Sequence, residues 1–279
     1  MSTPRDSSPT PLRSSGEQSG GGPVPSADVL TGRLFDYVVA LADDALVNAQ
    51  RLGWWISRAP QLEEDVALAN IGLDQLGQAR SLLAYAGEVE GAGRSEDDLA
   101  YFRDERSFRN TLLVERSQED FGVAMARLLI VSAWQSHLYA ALRGSTDATL
   151  AAVSAKAVKE VAYHLDHAGR WVVRLGDGTD ESHARMQAAL DAEWPFLEEL
   201  FDGSFIDPTL IGDGVAVDPA TLRDAVLSTI GAVVDEATLT VPDVRPALGG
   251  GRSGRHTEQM GFLLAEMQHL TRSHPGATW

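Results

Sequence analysis

Three residues in the second half of the chain have types and spacing that suit a metal ion. Glu160 and His164 are four positions apart, and His164 and His167 are three apart. On a helix these intervals place the side chains on one face, where a carboxylate and two imidazoles can share one ion. A Glu-x-x-x-His pair is a weak pattern alone. It more often belongs to a polar network, in which a buried Glu160 pairs with Lys156, Lys159 or His164.

Two glutamines three positions apart interrupt an aliphatic stripe earlier in the chain. Gln75 and Gln78 share this stripe with Leu68, Ile71 and Leu82. An amide is a weak, neutral ligand, so two amides cannot offset the charge of an iron pair, which typically uses several carboxylates and imidazoles. Two interpretations remain open. The glutamines are either hydrogen-bonded amides at the edge of the core or the remnant of an old metal site.

Two further segments contain residues that could do chemistry. Asp43 and Asp44 form a possible acid–base couple, with Asp44 bordering an inward stripe and Asp43 expected to point more outward. Charged residues beside such a stripe are usually solvated or paired, which favours ion pairs over catalysis. The segment GGGRSGR at 249–255 follows no predicted strand, so it is not a dinucleotide fingerprint. It is expected to be a flexible or substrate-gripping loop.

Apolar spacing predicts that most of these residues lie on long helices. Four long helices are predicted over residues 28–57, 63–88, 119–143 and 148–175. Shorter helices are predicted over residues 181–201, with a break near Pro195, and over 219–239 and 256–272. The second helix has another apolar stripe, formed by Val66, Ala69, Leu73 and Leu76. Stripes on two sides are expected for a central helix with neighbours on both faces.

The order of these helices predicts an all-α fold, since no run shows the alternation of a strand. Helices of this length would be roughly 40 Å long at about 1.5 Å per residue. Two helical pairs with short joints and one long connection indicate a ferritin-like four-helix bundle with additional C-terminal helices. This domain is predicted to cover residues 27–279. Residues 1–26 are rich in Pro, Gly and Ser and are predicted to be a disordered tail.

Composition limits the classes of partner and compartment. The chain has 279 residues and a net charge of −17, which argues against binding to nucleic acid or anionic membranes. It has no cysteine, which excludes disulfides, thiolate metal sites and a cysteine nucleophile. The longest apolar run, FGVAMARLLIVSAW, is too short to span a bilayer, and no signal peptide is visible. A cytoplasmic protein is expected.

Four stretches of the chain carry a family likeness. They are LFDYVVALADDALVNAQRL, APQLEEDVALANIGLDQLGQAR with the following RDERSFRN, KAVKEVAYHLDHAGRWVVRLGDGTDESHARMQAAL, and HTEQMGFLLAEMQHLTRSHPGATW. Together they resemble the structural C-subunit family (PaaC) of the multicomponent ring-1,2-phenylacetyl-CoA epoxidase. The likeness covers nearly everything after the tail, and it implies a ferritin-like, all-helical protein.

The resemblance also implies a division of labour among the components of a complex. A homologous catalytic A subunit holds a di-iron centre, a reductase subunit delivers electrons from NADPH, and a small B subunit bridges the assembly. The complex adds one oxygen atom of O₂ to the ring of phenylacetyl-CoA during aerobic phenylacetate breakdown. No cofactor is implied for this chain.

The resemblance also implies that the residues of this chain at the metal-ligand positions of the catalytic subunit have mostly lost their metal-binding side chains. The implied positions are Ala45 on the first helix, Gln75 and Gln78 on the second, Ser132 or else Gln135 on the third, and Val161 and His164 on the fourth. One imidazole and no carboxylate in this set cannot hold two irons or activate O₂. We therefore expect no catalytic residue and no bound metal here.

The resulting hypothesis is a non-catalytic structural subunit of the epoxidase. The alternatives are a self-sufficient di-iron oxygenase with atypical ligands and a ferritin-like binding protein with another partner. Contact with the coenzyme A moiety is a further possibility, because phosphates need fixed cations. The candidates are Arg103, Arg106 and Arg109, although surface salt bridges are favoured for them. Three tryptophans could form an apolar interface, but at least two of Trp54, Trp55 and Trp171 are expected in the core.

Overall fold

The computed structural model describes Met1, residues 27–117 and residues 120–277. Within these residues every regular element is helical, which confirms the all-α prediction. The α-helices are α1 (Ala27–Gly53), α2 (Leu62–Glu90), α3 (Glu96–Tyr101), α4 (Leu112–Glu115), α5 (Phe121–Leu142), α6 (Ala148–Gly176), α7 (Asp180–Glu193), α8 (Pro208–Gly212), α9 (Arg223–Glu236) and α10 (Glu258–Ser273). The 3₁₀ helices are Glu105–Ser107, Trp194–Phe201, Pro219–Leu222 and Gly251–Ser253. The tail predicted to be disordered lies outside the described residues, apart from Met1.

Four long helices form the bundle that the sequence predicts. Helix α1 packs along α2, α5 packs along α6, and α2 also meets α6. Each pair has a short joint, whereas a long connection that includes α3 and α4 crosses from α2 to α5. This order is the ferritin-like topology, in which side chains from facing helices meet at the centre of the bundle.

Local sequence signals explain where two of the bundle helices, α5 and α6, begin. The Asp120 carboxylate accepts a hydrogen bond from the Gly122 N–H at 2.7 Å and caps α5. The Asp147 carboxylate accepts from the Leu150 N–H at 2.9 Å and caps α6. Near Pro195 the α-helix α7 gives way to a 3₁₀ helix, as predicted, because a proline cannot donate the helical hydrogen bond.

Helix α1 ends earlier than predicted. The α-helix stops at Gly53, and the following turn makes tighter bonds, such as the 3.0 Å bond from the Trp55 N–H to the Leu52 carbonyl. Ser57 then has a φ of 68°, a left-handed conformation that no helix continues through. The prediction placed the end at the Ala-Pro pair because that pair is the visible signal in the sequence.

The tryptophans contribute to the core and its edge. Trp55 is buried, and Trp54 and Trp171 are half-buried against the core. Phe121 of α5 joins them, because its ring makes edge-to-face contacts with Trp55 and Trp171, with centroids 5.5 and 5.0 Å apart. These rings connect the ends of the two helical pairs. Only Trp55 of the three tryptophans is fully buried, so the expectation that at least two of them are in the core is wrong, and Trp54 and Trp171 lie at its edge.

Helix α2 differs from the prediction in its second apolar stripe. The stripe that contains Leu68 and Ile71 is buried, as expected for the core face. In the second stripe, Val66 is 54% exposed and Leu73 is 63% exposed. The prediction that α2 has neighbours on both faces is therefore correct only in part, because Leu76 is half-buried against the core while Val66 and Leu73 stay exposed.

The described helices do not include a membrane span. None of them combines the length and the apolar character needed to cross a bilayer. Helix α5 is long and apolar, and most of its side chains are buried within the protein.

Candidate functional site

A cluster of amides lies at the centre of the bundle. The side chains of Gln75 on α2 and Gln135 on α5 exchange two hydrogen bonds, at 2.7 and 3.0 Å between the amide nitrogen and oxygen atoms. Gln75 is 0% exposed and Gln135 is 1% exposed. The Gln75 Nε2 atom also lies 3.5 Å from His164 Nδ1 on α6. Three helices of the bundle thus meet through two amides and one imidazole.

His164 links this cluster to the surface. Its Nε2 atom lies 3.1 Å from Oδ2 of Asp74, a carboxylate that is 38% exposed, whereas the imidazole is 0% exposed. Burial lowers the pKa of His164, and the hydrogen bond and charge of Asp74 oppose this effect only in part. The neutral imidazole satisfies both neighbours if Nε2 carries the proton, because Nε2 then donates to Asp74 and Nδ1 accepts from Gln75.

Glu160 forms a separate polar pair at the interface between α2 and α6. Its Oε2 atom accepts a hydrogen bond from Gln78 Nε2 at 3.1 Å, and its Oε1 atom lies 3.2 Å from Lys156 Nζ. The sequence left three possible partners for Glu160, and Lys156 makes the ion pair. The carboxylate is thereby neutralised by an amide and an ammonium group, as in an ordinary polar network.

The three residues with metal-ligand spacing do not converge on one point. Glu160 bonds to Gln78 and His164 to Asp74, while His167 Nε2 lies 3.0 Å from Oε2 of Glu64. Across residues 27–117 and 120–277, no group of three or more His, Cys, Asp or Glu side chains is arranged to hold a metal. The geometry therefore favours the polar-network interpretation of these three residues over a shared ion.

The other implied ligand positions are buried and poor in donor atoms. Ala45, Val161 and Ser132 are 0% exposed. The hydroxyl of Ser132 has no hydrogen-bond partner among the described residues, whereas Gln135 faces Gln75 in the cluster. Of the two candidates on α5, Gln135 is the one that contacts Gln75 of the implied ligand set.

This set of side chains is poorly matched to a pair of iron ions. Ala45 and Val161 offer no ligand atom, and the two amides already satisfy each other. The nearby carboxylates, Asp74 and Glu160, are paired with an imidazole and an ammonium group. Two divalent ions need several anionic ligands, so the residues present do not fit a di-iron centre.

The Asp43–Asp44 couple belongs to two buried ion pairs. Asp43 is 0% exposed, so the prediction that it points outward is wrong. Its Oδ2 atom accepts from Arg103 Nη1 at 2.9 Å and from the Arg109 N–H at 2.8 Å. Asp44 accepts from Arg252 Nη2 at 2.6 Å, although burial still raises the pKa of Asp44 above its ordinary value. The pairing that the sequence favoured is present, but it is in the core rather than in solvent.

Two of the three arginines proposed to contact phosphate have other partners. Arg103 is 6% exposed and its guanidinium is bound to Asp43, so it is neither a surface salt bridge nor open to a ligand. The Arg109 Nη1 atom donates to the carbonyls of Arg106 and Phe108, both at 2.8 Å. The Arg106 side chain is exposed. Arg106 is therefore the remaining candidate of the three.

The loop at 249–255 is packed and hydrogen-bonded, so the prediction of a flexible loop is wrong, whereas the alternative of a substrate-gripping loop stays a prediction. Glu199 Oε1 accepts from the N–H groups of Gly250 and Gly251 at 2.8 and 2.9 Å. A Cβ atom at Gly251 would lie 2.1 Å from the carbonyl oxygen of Asn110. Glycine is needed here because two backbone segments touch. The loop holds the crossing segment of the chain in place.

A buried carboxylate on α4 completes this anchoring, and no pattern in the sequence indicated it. Glu115 is 0% exposed and accepts from the Thr257 N–H at 2.6 Å and from Asn110 Nδ2 at 2.9 Å. His256 Nδ1 lies 2.6 Å from Glu115 Oε2. Burial alone lowers the pKa of His256, but the hydrogen bond and charge of Glu115 outweigh it, and the net pKa is raised. Because Glu115 and His256 are 141 positions apart, no local motif could have paired them.

The fold and the central cluster together define a ferritin-like helical bundle whose centre is occupied by amides. The chain belongs to the family described as phenylacetic acid catabolic protein, which it matches over residues 25–279. It is 50% identical over 247 residues to the C subunit of the 1,2-phenylacetyl-CoA epoxidase of Escherichia coli (strain K12). This alignment covers 88% of the chain and 99% of that protein. The resemblance inferred from the sequence is thus confirmed.

Proposed function

We propose that this chain is a non-catalytic structural subunit of a multicomponent ring-1,2-phenylacetyl-CoA epoxidase. The similarity to a C subunit over nearly the whole of that protein supports membership of such a complex. The single observation that carries the non-catalytic role is the reciprocal pair of hydrogen bonds between Gln75 and Gln135, which closes the centre of the bundle. A neutral amide pair satisfies itself and leaves no anionic ligand for iron.

In this proposal the chemistry takes place in a partner. A homologous catalytic A subunit holds the di-iron centre, electrons from NADPH arrive through a reductase subunit, and a small B subunit bridges the assembly. The present chain contributes a stable helical surface that keeps the catalytic subunit in shape. The exposed side chain of Arg106 is the candidate for contact with the coenzyme A moiety. The proposed compartment is the cytoplasm.

Co-purification combined with metal counting tests this function. The chain is produced alone and together with the catalytic A subunit, and the iron content of each separated chain is measured. The expected result is a stable complex in which nearly all iron belongs to the catalytic subunit, with no turnover of phenylacetyl-CoA by this chain alone. Two irons per isolated chain together with O₂-dependent turnover would instead establish the self-sufficient oxygenase. Failure to form the complex would favour a binding protein with another partner.

A further inference from the structure

Helix α2 carries a second apolar stripe on its outer side, which we call the α2 seam. It consists of Leu62, Val66, Ala69, Leu73 and Leu76. Leu62 is 73% exposed, Val66 is 54% exposed and Leu73 is 63% exposed. The intervals of four and three residues keep the stripe on one side of the helix over roughly 20 Å. Spacing of this kind is typical of a helix that packs against another helix along its length.

A groove runs beside the α2 seam, between α1 and α2. It has a volume of about 300 Å³. Small residues on both helices line it, namely Ala49, Gly53, Ala69 and Gly72. Large apolar side chains, Ile56, Leu73, Tyr101 and Met267, also line it. Small side chains beside large ones give a surface of holes and ridges, into which the side chains of another helix can insert.

The charges around the α2 seam narrow the kind of helix that it fits. Residues 59–79 contain no Lys or Arg, whereas Glu63 and Asp65 lie next to the first two seam positions and Asp74 follows Leu73. A second copy of this chain would bring the same acidic groups together, and the net charge of −17 adds to that repulsion. An anionic membrane is disfavoured for the same reason. A complementary helix has an aliphatic stripe with Lys or Arg along its edges.

We propose that the α2 seam and its groove form the docking surface for an amphipathic, basic-flanked helix of the catalytic partner subunit. This inference rests on the proposed function, which supplies the partner. The aliphatic stripe of that helix covers Val66 and Leu73 and inserts side chains into the groove. Its basic flanks face Glu63 and Asp65. Docking therefore removes water from the largest apolar side chains that α2 leaves exposed.

Two variants at the centre of the seam test the inference. Leu73→Asp and the double variant Val66→Ser with Leu73→Ser are compared with the wild-type chain for affinity to the purified catalytic subunit. Val241→Asp is the matched control, because Val241 is 46% exposed and follows Thr240, which is hydrogen-bonded to Gln187 on α7, away from the groove. Far-UV circular dichroism and the melting temperature show whether each variant is folded. If Leu73→Asp is not folded, the double Ser variant still tests the docking surface.

The expected result is a loss of affinity of at least about 30-fold for both seam variants, the size typical of an interface hot spot. The control should bind like the wild type, and raising the salt concentration should slow wild-type association, because attraction between opposite charges is screened.

If folded seam variants bind normally while the wild type also binds, the docking surface is wrong and the proposed function stands. If the wild-type chain does not bind the catalytic subunit, the proposed function fails. A dimer of this chain that Leu73→Asp abolishes would assign the seam to a second copy.

Discussion

Gln75 and Gln135 form a buried polar contact between α2 and α5. Each amide donates one hydrogen bond to the other and accepts one in return, at 2.7 and 3.0 Å. A buried amide that loses its partner keeps the cost of its lost hydration, whereas two apolar side chains in the same space have no such cost. The pair therefore behaves as a unit in its effect on stability.

The cost of removing both glutamines should be smaller than the sum of the costs of removing each one alone. Gln75→Leu leaves Gln135 without its main partner and should lower the free energy of unfolding by about 1–3 kcal/mol. The double variant, with Gln75→Leu and Gln135→Leu, should cost clearly less than the sum of the two single changes. Urea unfolding of the four proteins measures this coupling. Strictly additive costs would mean that the two amides are independent.

The His256–Glu115 pair should make stability depend on pH. The pKa of His256 is raised in the folded state, so its contribution is fully present below about pH 6.5, the ordinary value, and is lost as the pH rises through the folded pKa. His256→Gln should therefore cost most at pH 6 and progressively less towards pH 8. Urea unfolding across this range gives the difference between the two proteins. A difference that stays constant with pH would show that His256 contributes by packing alone.

At the scale of a residue, the sequence predicted which kind of contact a side chain makes, but it did not predict the residue with which the contact is made. It correctly favoured ion pairs for Asp43 and Asp44, but it placed Asp43 facing outward. The error arose because Arg103 and Arg252, which neutralise these carboxylates, are 60 and 208 positions away. A helical pattern reports which side of a helix is apolar, and it contains no information about a charge that arrives from a distant segment.

At the scale of an element, Gly251 holds together two segments that are far apart in sequence. Gly251→Ala should reduce stability by about 2–4 kcal/mol, because the added methyl group would collide with the Asn110 carbonyl and force the loop off Glu199. The melting temperature of the variant measures the loss. The control is Gly231→Ala on α9, where no atom lies within 4 Å of the new Cβ.

The melting temperature of the control, Gly231→Ala, should change in the opposite direction. Gly231 is in the interior of a helix, where alanine is favoured over glycine by roughly 0.5–1 kcal/mol. A rise in melting temperature for Gly231→Ala together with a fall for Gly251→Ala would separate local packing from helix propensity. Equal melting temperatures for the wild type and Gly251→Ala would contradict the tight contact seen at the loop.

The elements themselves were largely predictable, and their ends were less so. Apolar spacing located all four bundle helices, and Pro195 marked the end of α7. The α-helix α1 ends at Gly53, and Ser57 beyond it has a left-handed backbone, which the serine residue type does not announce in the sequence. The loop at 249–255 was misjudged for a similar reason, since its rigidity comes from Glu199 and Asn110 and not from its own glycines.

At the scale of the whole molecule, net charge should influence stability. With −17 charges on 279 residues, repulsion between acidic groups opposes the compact state, and added salt screens it. The melting temperature of the isolated chain should therefore rise by a few degrees between low and moderate sodium chloride. Differential scanning calorimetry provides the measurement. A melting temperature that falls with salt would mean that the exposed ion pairs outweigh the overall repulsion.

The sequence predicted the architecture of the molecule but not which surfaces remain open. Two apolar stripes on α2 indicated two buried faces, but Leu62, Val66 and Leu73 of the second stripe stay exposed within the described chain. Periodicity states that a face is apolar, and it cannot state whether the covering element lies in the same chain or in another. An exposed apolar face of this kind is informative because soluble monomers rarely keep one.

Leu73 and Asp74 are neighbours on α2, and they face different surroundings. Leu73 stands in solvent, while the partly exposed carboxylate of Asp74 touches the buried ring of His164 at 3.1 Å. A helix that settles on Leu73 would also dehydrate that carboxylate and alter the electric field at the imidazole. The nitrogen resonances of a ¹⁵N-labelled His164 would then serve as an interior reporter, changing frequency when the outside of the molecule becomes occupied.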